Sequence, residues 1–244
     1  MKWTIVAVSD LHFGKESVRE RKKDQLFTIF DAKEQFNIQM VICAGDLTDD
    51  GTDGVTFCGL RKKADDQLTP LINEWVQPLD NNGLTTLLTI GNQDTYTGHP
   101  YIYKPVFDFI RKRHGATYYP MISMFKSGYY KYEKNGIVFL SLGVYPTYLT
   151  WIAKNLVRDK PMILFYHYNT DESQPHSNHW TSCEKYAFFE LIKSYTNIIC
   201  IINGHYHRSS KEAHLRNFRF VNGAGEKMVM LHMNDDKLES TSYL

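Results

Sequence analysis

The stretch Trp3-Thr4-Ile5-Val6-Ala7-Val8-Ser9-Asp10-Leu11-His12 decides how this chain is read. Trp3–Val8 is a short apolar run rich in β-branched residues, with none of the alternation of a half-exposed strand. Such a run suits a strand covered on both faces. It ends in two polar residues of metal-ligand type, Asp10 and His12. The same phrase recurs downstream. Met40–Ala44 leads into Gly45-Asp46, Thr86–Ile90 into Gly91-Asn92-Gln93-Asp94, Met162–Tyr166 into His167, and Ile198–Ile202 into Asn203-Gly204-His205-Tyr206-His207. Ile137–Leu142 is a sixth run of this kind, and Phe218–Val221 and Lys227–Met233 read as further strands.

Helical periods fill the intervals. Lys22–Phe36 places Leu26, Ile29, Phe30 and Phe36 near one face. Thr69-Pro70 reads as an N-cap and first helical residue ahead of Leu71, Ile72, Trp75 and Val76. Val106, Phe109, Ile110 and Arg113 continue the pattern up to Gly115, a helix stop. Thr181-Ser182-Cys183-Glu184 is a capping box before Ala187, Phe188, Leu191 and Ile192. Strands alternating with helices predict an α/β fold with helices flanking a largely buried sheet. No linker, repeat or low-complexity stretch divides the chain, so residues 1–244 are expected to form a single domain.

Lys+Arg 28 against Asp+Glu 27 leaves a net charge of +1, which does not indicate a nucleic-acid coat or an acidic tail. Cys43, Cys58, Cys183 and Cys200 show no C-x-x-C spacing, and Cys43 and Cys200 lie inside apolar runs, as free core thiols do. No stretch approaches the ~18 consecutive apolar residues of a membrane span. Trp3–Val8 is too short for a signal peptide. A cytoplasmic protein with no membrane span is the expectation.

In an open α/β sheet, ligands sit beyond the carboxyl ends of the strands. Taken singly, Asp-x-His, Gly-Asp and Gly-Asn are ordinary dipeptides and turns. Five such endings, each after an apolar run, are hard to reach by accident. They would set two Asp, one Asn and four His along one sheet edge. Imidazole with carboxylate suits borderline first-row divalent metals. Two ions ~3.5–4 Å apart need a carboxylate between them, and Asp46 is the best bridge. Asp10, His12 and His207 would complete one shell, and Asn92, His167 and His205 the other. Such a pair binds phosphate oxygens and makes hydroxide available at neutral pH, so metal-assisted phosphoester hydrolysis is the reaction class.

Asp-x-His, Gly-Asp, Gly-Asn-x-Asp, His and Gly-His-x-His, in that order from Asp10 to His207, resemble the calcineurin-like metallophosphoesterase superfamily. The resemblance implies a four-layer αββα sandwich, two sheets flanked by helices. It implies Asp10, His12, Asp46 and His207 on one metal and Asp46, Asn92, His167 and His205 on the other, with Mn, Fe or Zn as the two divalent ions. Ala44–Gly51 and a helix at Trp151–Leu156 are further similar to the branch of cyclic-nucleotide phosphodiesterases and purple acid phosphatases.

One position departs from the pattern. The superfamily usually has Gly-Asn-His-Asp/Glu, whose His contacts the phosphate and protonates the leaving oxygen; here it is Gln93. An amide donates a hydrogen bond but transfers no proton at neutral pH. Three readings stay open: an introduced His→Gln, a natural enzyme using another acid or a good leaving group, or a chain that binds without turnover. The lipid A-pathway pyrophosphohydrolases of the superfamily are similar in lacking this His. His99, His176 and His179 are the candidate substitute acids. Asp94 would hold the Gln93 amide or support the site from behind. Asn92, Gln93 and His167 would contact the substrate. Arg19–Lys23, Arg61–Lys63 and Arg111–Arg113 read as solvated faces away from the strand ends. The expected function is a phosphodiesterase acting on a phosphoester, a nucleotide among the candidates. The alternatives are a phosphomonoesterase or protein phosphatase, and a non-catalytic metal-binding scaffold.

Overall fold

The computed structural model describes residues 1–14, 16–49, 54–55, 61–62, 65–94, 104–118, 126–169, 180–207, 210–215, 218–223 and 227–244. The apolar runs become β1 (Lys2–Val8), β2 (Ile38–Ala44), β5 (Thr85–Thr89), β7 (Ile137–Leu142), β8 (Met162–Phe165) and β9 (Ile198–Asn203), with β3 (Gly54–Val55) and β4 (Arg61–Lys62) forming a separate two-stranded ribbon. β6 (Tyr129–Lys134), β10 (Ser210–Leu215), β11 (Phe218–Asn222), β12 (Val229–Asn234) and β13 (Lys237–Tyr243) complete two larger sheets.

The runs do not share one sheet, and this corrects the expectation of a single sheet edge. One sheet has the order β13-β12-β1-β2-β5 and the other β10-β11-β9-β8-β7-β6. Within the first, β1, β2 and β5 are parallel, while β12 runs antiparallel to β1 with Ile5 opposite Leu231. Within the second, β11, β9, β8 and β7 are parallel and β10 and β6 are antiparallel edges. Both sheets bury strands on both faces, so an apolar run carries no mark of which sheet it joins.

The sheets pack face to face through one continuous core containing Ile5, Val41, Leu88, Leu140, Leu164 and Ile201. Polar ties cross between them where packing alone would leave backbone groups bare. Tyr130 of β6 donates its hydroxyl to the Leu88 carbonyl at 2.8 Å, and Ser141 of β7 donates to Thr89 Oγ1 at 2.8 Å.

Helices cover the outer faces, giving the four-layer αββα arrangement. α1 (Glu16–Phe36) packs on β1 and β2 and begins six residues before the sequence pattern suggested. α2 (Asp65–Leu71) contains Pro70 in its interior and continues through a π-helical turn (Ile72–Val76) into α3 (Gln77–Asn81). The Thr69-Pro70 start is therefore corrected: the helix begins upstream. A proline inside a helix costs a backbone hydrogen bond, and a π turn is one way a helix re-registers next to such a break.

α4 (Lys104–His114) contacts β5 and β6, and Gly115 stops it in the left-handed region (φ +65°), donating its N–H to the Arg111 carbonyl. α5 (Leu149–Asn155) packs on α6 (Ser182–Ile192). α6 opens on the expected capping box, with Glu184 N–H on Thr181 Oγ1 and Thr181 N–H on Glu184 Oε2. It buries Phe188 against Tyr166 and Phe189 against Phe218 and Phe220. Among the described residues no helix is long and apolar enough to cross a membrane.

Candidate metal centre

The polar endings of the two sheets meet at one place. β1 supplies Asp10 and His12, β2 supplies Asp46, and β5 supplies Asn92, Gln93 and Asp94. From the second sheet, β8 supplies His167 and β9 supplies His205 and His207. The loop after β1 is zipped to the loop after β2 by three backbone bonds, from Asp10, His12 and Phe13 N–H to the carbonyls of Gly45, Asp46 and Leu47, each 3.0 Å. A bond from Gly204 N–H to the His167 carbonyl joins the second sheet's loops.

These turns are sharp. Among the described residues, eight non-glycine positions have positive φ, and five of them are Asp10, His12, Asp46, His205 and His207, at 56, 48, 49, 79 and 52°. That backbone costs roughly 1–2 kcal/mol per L-residue, so the surrounding fold holds these side chains against their own preference, as at sites where geometry matters more than comfort. Two glycines are fixed by crowding: a Cβ on Gly91 would run into Asp46 Oδ1, and one on Gly204 into Ser9 Oγ.

Two clusters of donor atoms result, Asp10-His12-His207 and Asp46-His167-His205, each gathered within 4.8 Å. The second shows what the arrangement needs. His167 is fully buried, and its Nδ1 lies 2.8 Å from the Ala44 carbonyl, which can only accept, so Nδ1 carries a proton. The Nε2 lone pair then faces Asp46 Oδ2 at 3.2 Å and Asn92 Oδ1 at 2.9 Å. Three acceptors aimed at one point repel unless a cation stands among them. In the bare chain that cation is a proton: burial alone would lower the His167 pKa, but Asp46, together with Asp10 and the Ala44 carbonyl, raises it to about 9. Burial pushes Asp46 up, and His167, His12 and the Gln93 N–H together reverse this, holding its carboxyl below the usual range.

The first cluster has the same character. His12 Nε2 and His207 Nε2 approach to 3.2 Å, and Asp10 Oδ1 lies 3.4 Å from the latter and 3.8 Å from the former. Asp10 Oδ1 is buried and has no hydrogen-bond partner, and such an orphan oxygen costs free energy unless something fills the gap. Burial lowers the His12 pKa, against the pull of Asp46 and Asp10, so its ring favours the neutral form. The residues present fit divalent cations: imidazole nitrogens, carboxylates and unmet acceptors converge. Asp46 stands between the clusters, with Oδ2 3.8 Å from His12 Nε2 as well as 3.2 Å from His167 Nε2.

The supporting residues are now placed. Asp94 is fully buried and spends both carboxylate oxygens on loops: Oδ2 accepts from Leu47 N–H (3.1 Å) and Gly91 N–H (2.8 Å), and Oδ1 from Thr48 N–H (2.9 Å) and Thr48 Oγ1 (2.8 Å). Burial and the neighbouring Asp46 raise its pKa to about 6 against these donors. It braces the loops around Asp46. Asp10 Oδ2 accepts from His205 N–H at 3.0 Å, so one cluster's carboxylate holds the other's backbone.

His99, His176 and His179 lie outside the described residues. Sequence reasoning passed over Asp49, whose Oδ1 lies 3.8 Å from His12 Nδ1, and it set Arg21 and Lys22 aside. Arg19 and Lys23 do pair with Glu74 on the surface, but Arg21 and Lys22 line the cleft that Asp10, His12, Gln93 and His207 also line. This corrects the assignment of the whole Arg19–Lys23 cluster to a face remote from the strand ends. A lysine on an otherwise apolar helical face was the available signal.

Comparison with known proteins agrees with this arrangement. A search of curated proteins found no match. Solved structures share the fold at low identity. A dimetal phosphatase from Danio rerio matches with a TM-score of 0.61 at 12% identity over 99% of this chain and 98% of its own. GAP50, the anchor in the inner membrane complex of Plasmodium, matches at 0.54 and 10% identity over 100% and 88%. A 5′-nucleotidase from Candida albicans matches at 0.52 and 13% identity, over 99% of this chain and 51% of its own. The family model described as calcineurin-like phosphoesterase matches residues 4–209, a span that contains all seven candidate ligands, and the chain therefore belongs to the calcineurin-like phosphoesterase family.

Proposed function

We propose that the chain is a metal-dependent phosphodiesterase in which Asp10, His12, Asp46 and His207 hold one divalent ion and Asp46, Asn92, His167 and His205 the other. The observation that carries this reading is the convergence of His167 Nε2, Asp46 Oδ2 and Asn92 Oδ1 as acceptors on one point at the strand ends. Ions of the Mn, Fe or Zn class, when bound, supply activated water and neutralise phosphoryl charge.

The chain's own residues set the rest. The Ala44 carbonyl holds the His167 tautomer that keeps Nε2 open toward Asp46. Asn92 and His167 border the substrate's phosphoryl group. The Gln93 side chain donates a hydrogen bond to a phosphoryl oxygen without giving up a proton. General acid catalysis is worth about 10²–10⁴-fold. Its absence at Gln93 favours esters whose leaving group departs unaided, and diesters over alkyl monoesters. Buried free thiols at Cys43 and Cys200 suit a reducing, cytoplasmic setting.

Metal analysis paired with hydrolysis of an aryl diester and an aryl monoester, Mn²⁺ added, tests the reading. Two ions per chain with faster diester turnover is the expected result. Fewer than one ion and no turnover would leave a binding scaffold instead.

A further inference from the structure

The cleft beside the candidate centre has a volume of about 710 Å³, and its lining includes Asp10, His12, Gln93 and His207 together with Arg21 and Lys22 of α1. Lys22 is unusual among the charged residues. Only 9% exposed, it has no hydrogen-bond or ion-pair partner among the described residues, although its neighbours on α1, Arg19 and Lys23, are both paired. Burial lowers its pKa, with only the longer-range pull of Asp10 and Cys43 against it. Lysine is almost never buried unpaired, because its ammonium loses hydration without compensation.

The carboxylates nearby do not supply that compensation. Asp10 presents Oδ1 to the two histidines of its cluster, and Asp49 Oδ1 faces His12 Nδ1 at 3.8 Å. Asp24 shares the cleft but sits exposed at its lip, as Arg21 does. A buried cation opening onto a cleft, backed by an arginine able to fork onto oxygen pairs, is chemistry suited to an anion entering from solvent.

We propose that Lys22, with Arg21, forms a subsite for a second phosphoryl group of the substrate, next to the phosphoryl group that reacts. The substrate class is then a phosphoester bearing two linked anionic groups, a diphosphate ester being the simplest member. This rests on the phosphoesterase reading above, and it deepens that reading by assigning a specificity to residues outside the ligand set.

Calorimetry on the Mn²⁺-loaded protein, with Mn²⁺ in the same excess for every variant, compares methylphosphonate with methylenediphosphonate. The wild type should bind the diphosphonate about ten- to a hundredfold more tightly, the worth of a hydrogen bond to a charged group. Lys22→Met, which keeps length and loses charge, should erase that preference while leaving methylphosphonate affinity within about twofold. Lys22→Arg should retain most of it, and a thermal melt of each variant reports folding. No preference in the wild type overturns the subsite. So does equal weakening of both ligands in Lys22→Met, which would assign Lys22 to supporting Asp10. A wild type that takes up no Mn²⁺ or binds no methylphosphonate instead brings down the phosphoesterase reading, and the subsite with it.

Discussion

The backbone N–H of Gln93 donates to Oδ1 of Asp46 at 2.8 Å. Gln93 therefore orients the central carboxylate through its backbone N–H, a group every residue but proline carries. Changing the side chain should alter proton chemistry alone. Gln93→His is expected to leave Mn²⁺ content unchanged and to raise turnover of an alkyl diester by about 10²-fold or more, with little change for an aryl diester whose leaving group needs no acid. Parallel kcat measurements on the two esters check this. Equal gains on both would place the effect in binding instead.

Asp46 borders both clusters, whereas His167 belongs to one. Asp46→Asn should lose both ions and all metal-dependent turnover, while His167→Ala should lose one ion and keep the other. Metal stoichiometry after gel filtration separates the two outcomes. If Asp46→Asn kept two ions, the bridging assignment would be wrong.

Asp94 accepts four hydrogen bonds with two oxygens. In Asp94→Asn, an amide oxygen turned to Thr48 leaves the NH₂ facing the N–H groups of Leu47 and Gly91, donor against donor. The expected cost is about 1–3 kcal/mol, read from the urea midpoint, with weaker Mn²⁺ binding because the Asp46 loop is no longer braced. A variant with wild-type stability and reduced kcat would instead mean that Asp94 takes part in the reaction.

His114 ends α4 with its ring stacked on Tyr130, centroids 4.4 Å apart and planes 8° from parallel, and its Nε2 is buried without a partner. Burial first, and then Arg113, lowers its pKa from 6.5 to about 3. The unfolded chain therefore takes up this proton before the folded one. Stability from this group is complete above about pH 6.5 and falls as pH drops toward 3, by roughly 1.4 kcal/mol per unit. His114→Phe keeps the stack and cannot titrate. Between pH 7 and pH 5 the variant should lose about 2 kcal/mol less than wild type in urea unfolding; identical pH profiles would refute the assignment.

The sequence was most legible where burial is two-sided. β1, β2, β5, β7, β8 and β9 announce themselves as unbroken apolar runs, and their polar endings mark the site because parallel strands present their carboxyl ends together. The edges were silent. Tyr129–Lys134 and Lys237–Tyr243 carry lysines, glutamates and serines on their exposed positions, as edge strands do, so their composition resembles loop. The partition into two sheets was also hidden, since a strand buried on both faces looks alike in either. Lys22 was misread for a related reason. Its neighbours Arg19, Arg21 and Lys23 are surface cations, and a run of charge conceals the one member that turns inward.

The pairing of β1 with β12 has a consequence in time. Every candidate ligand has been synthesised once His207 leaves the ribosome, but the strand that flanks β1 on its outer side, Val229–Asn234, comes later. At roughly 5–20 residues per second, the nascent chain passes through an interval in which Asp10 and His12 hang from a strand with one bare edge. The strand that carries the first two candidate ligands, although made first, is therefore paired on both sides only near the end of synthesis.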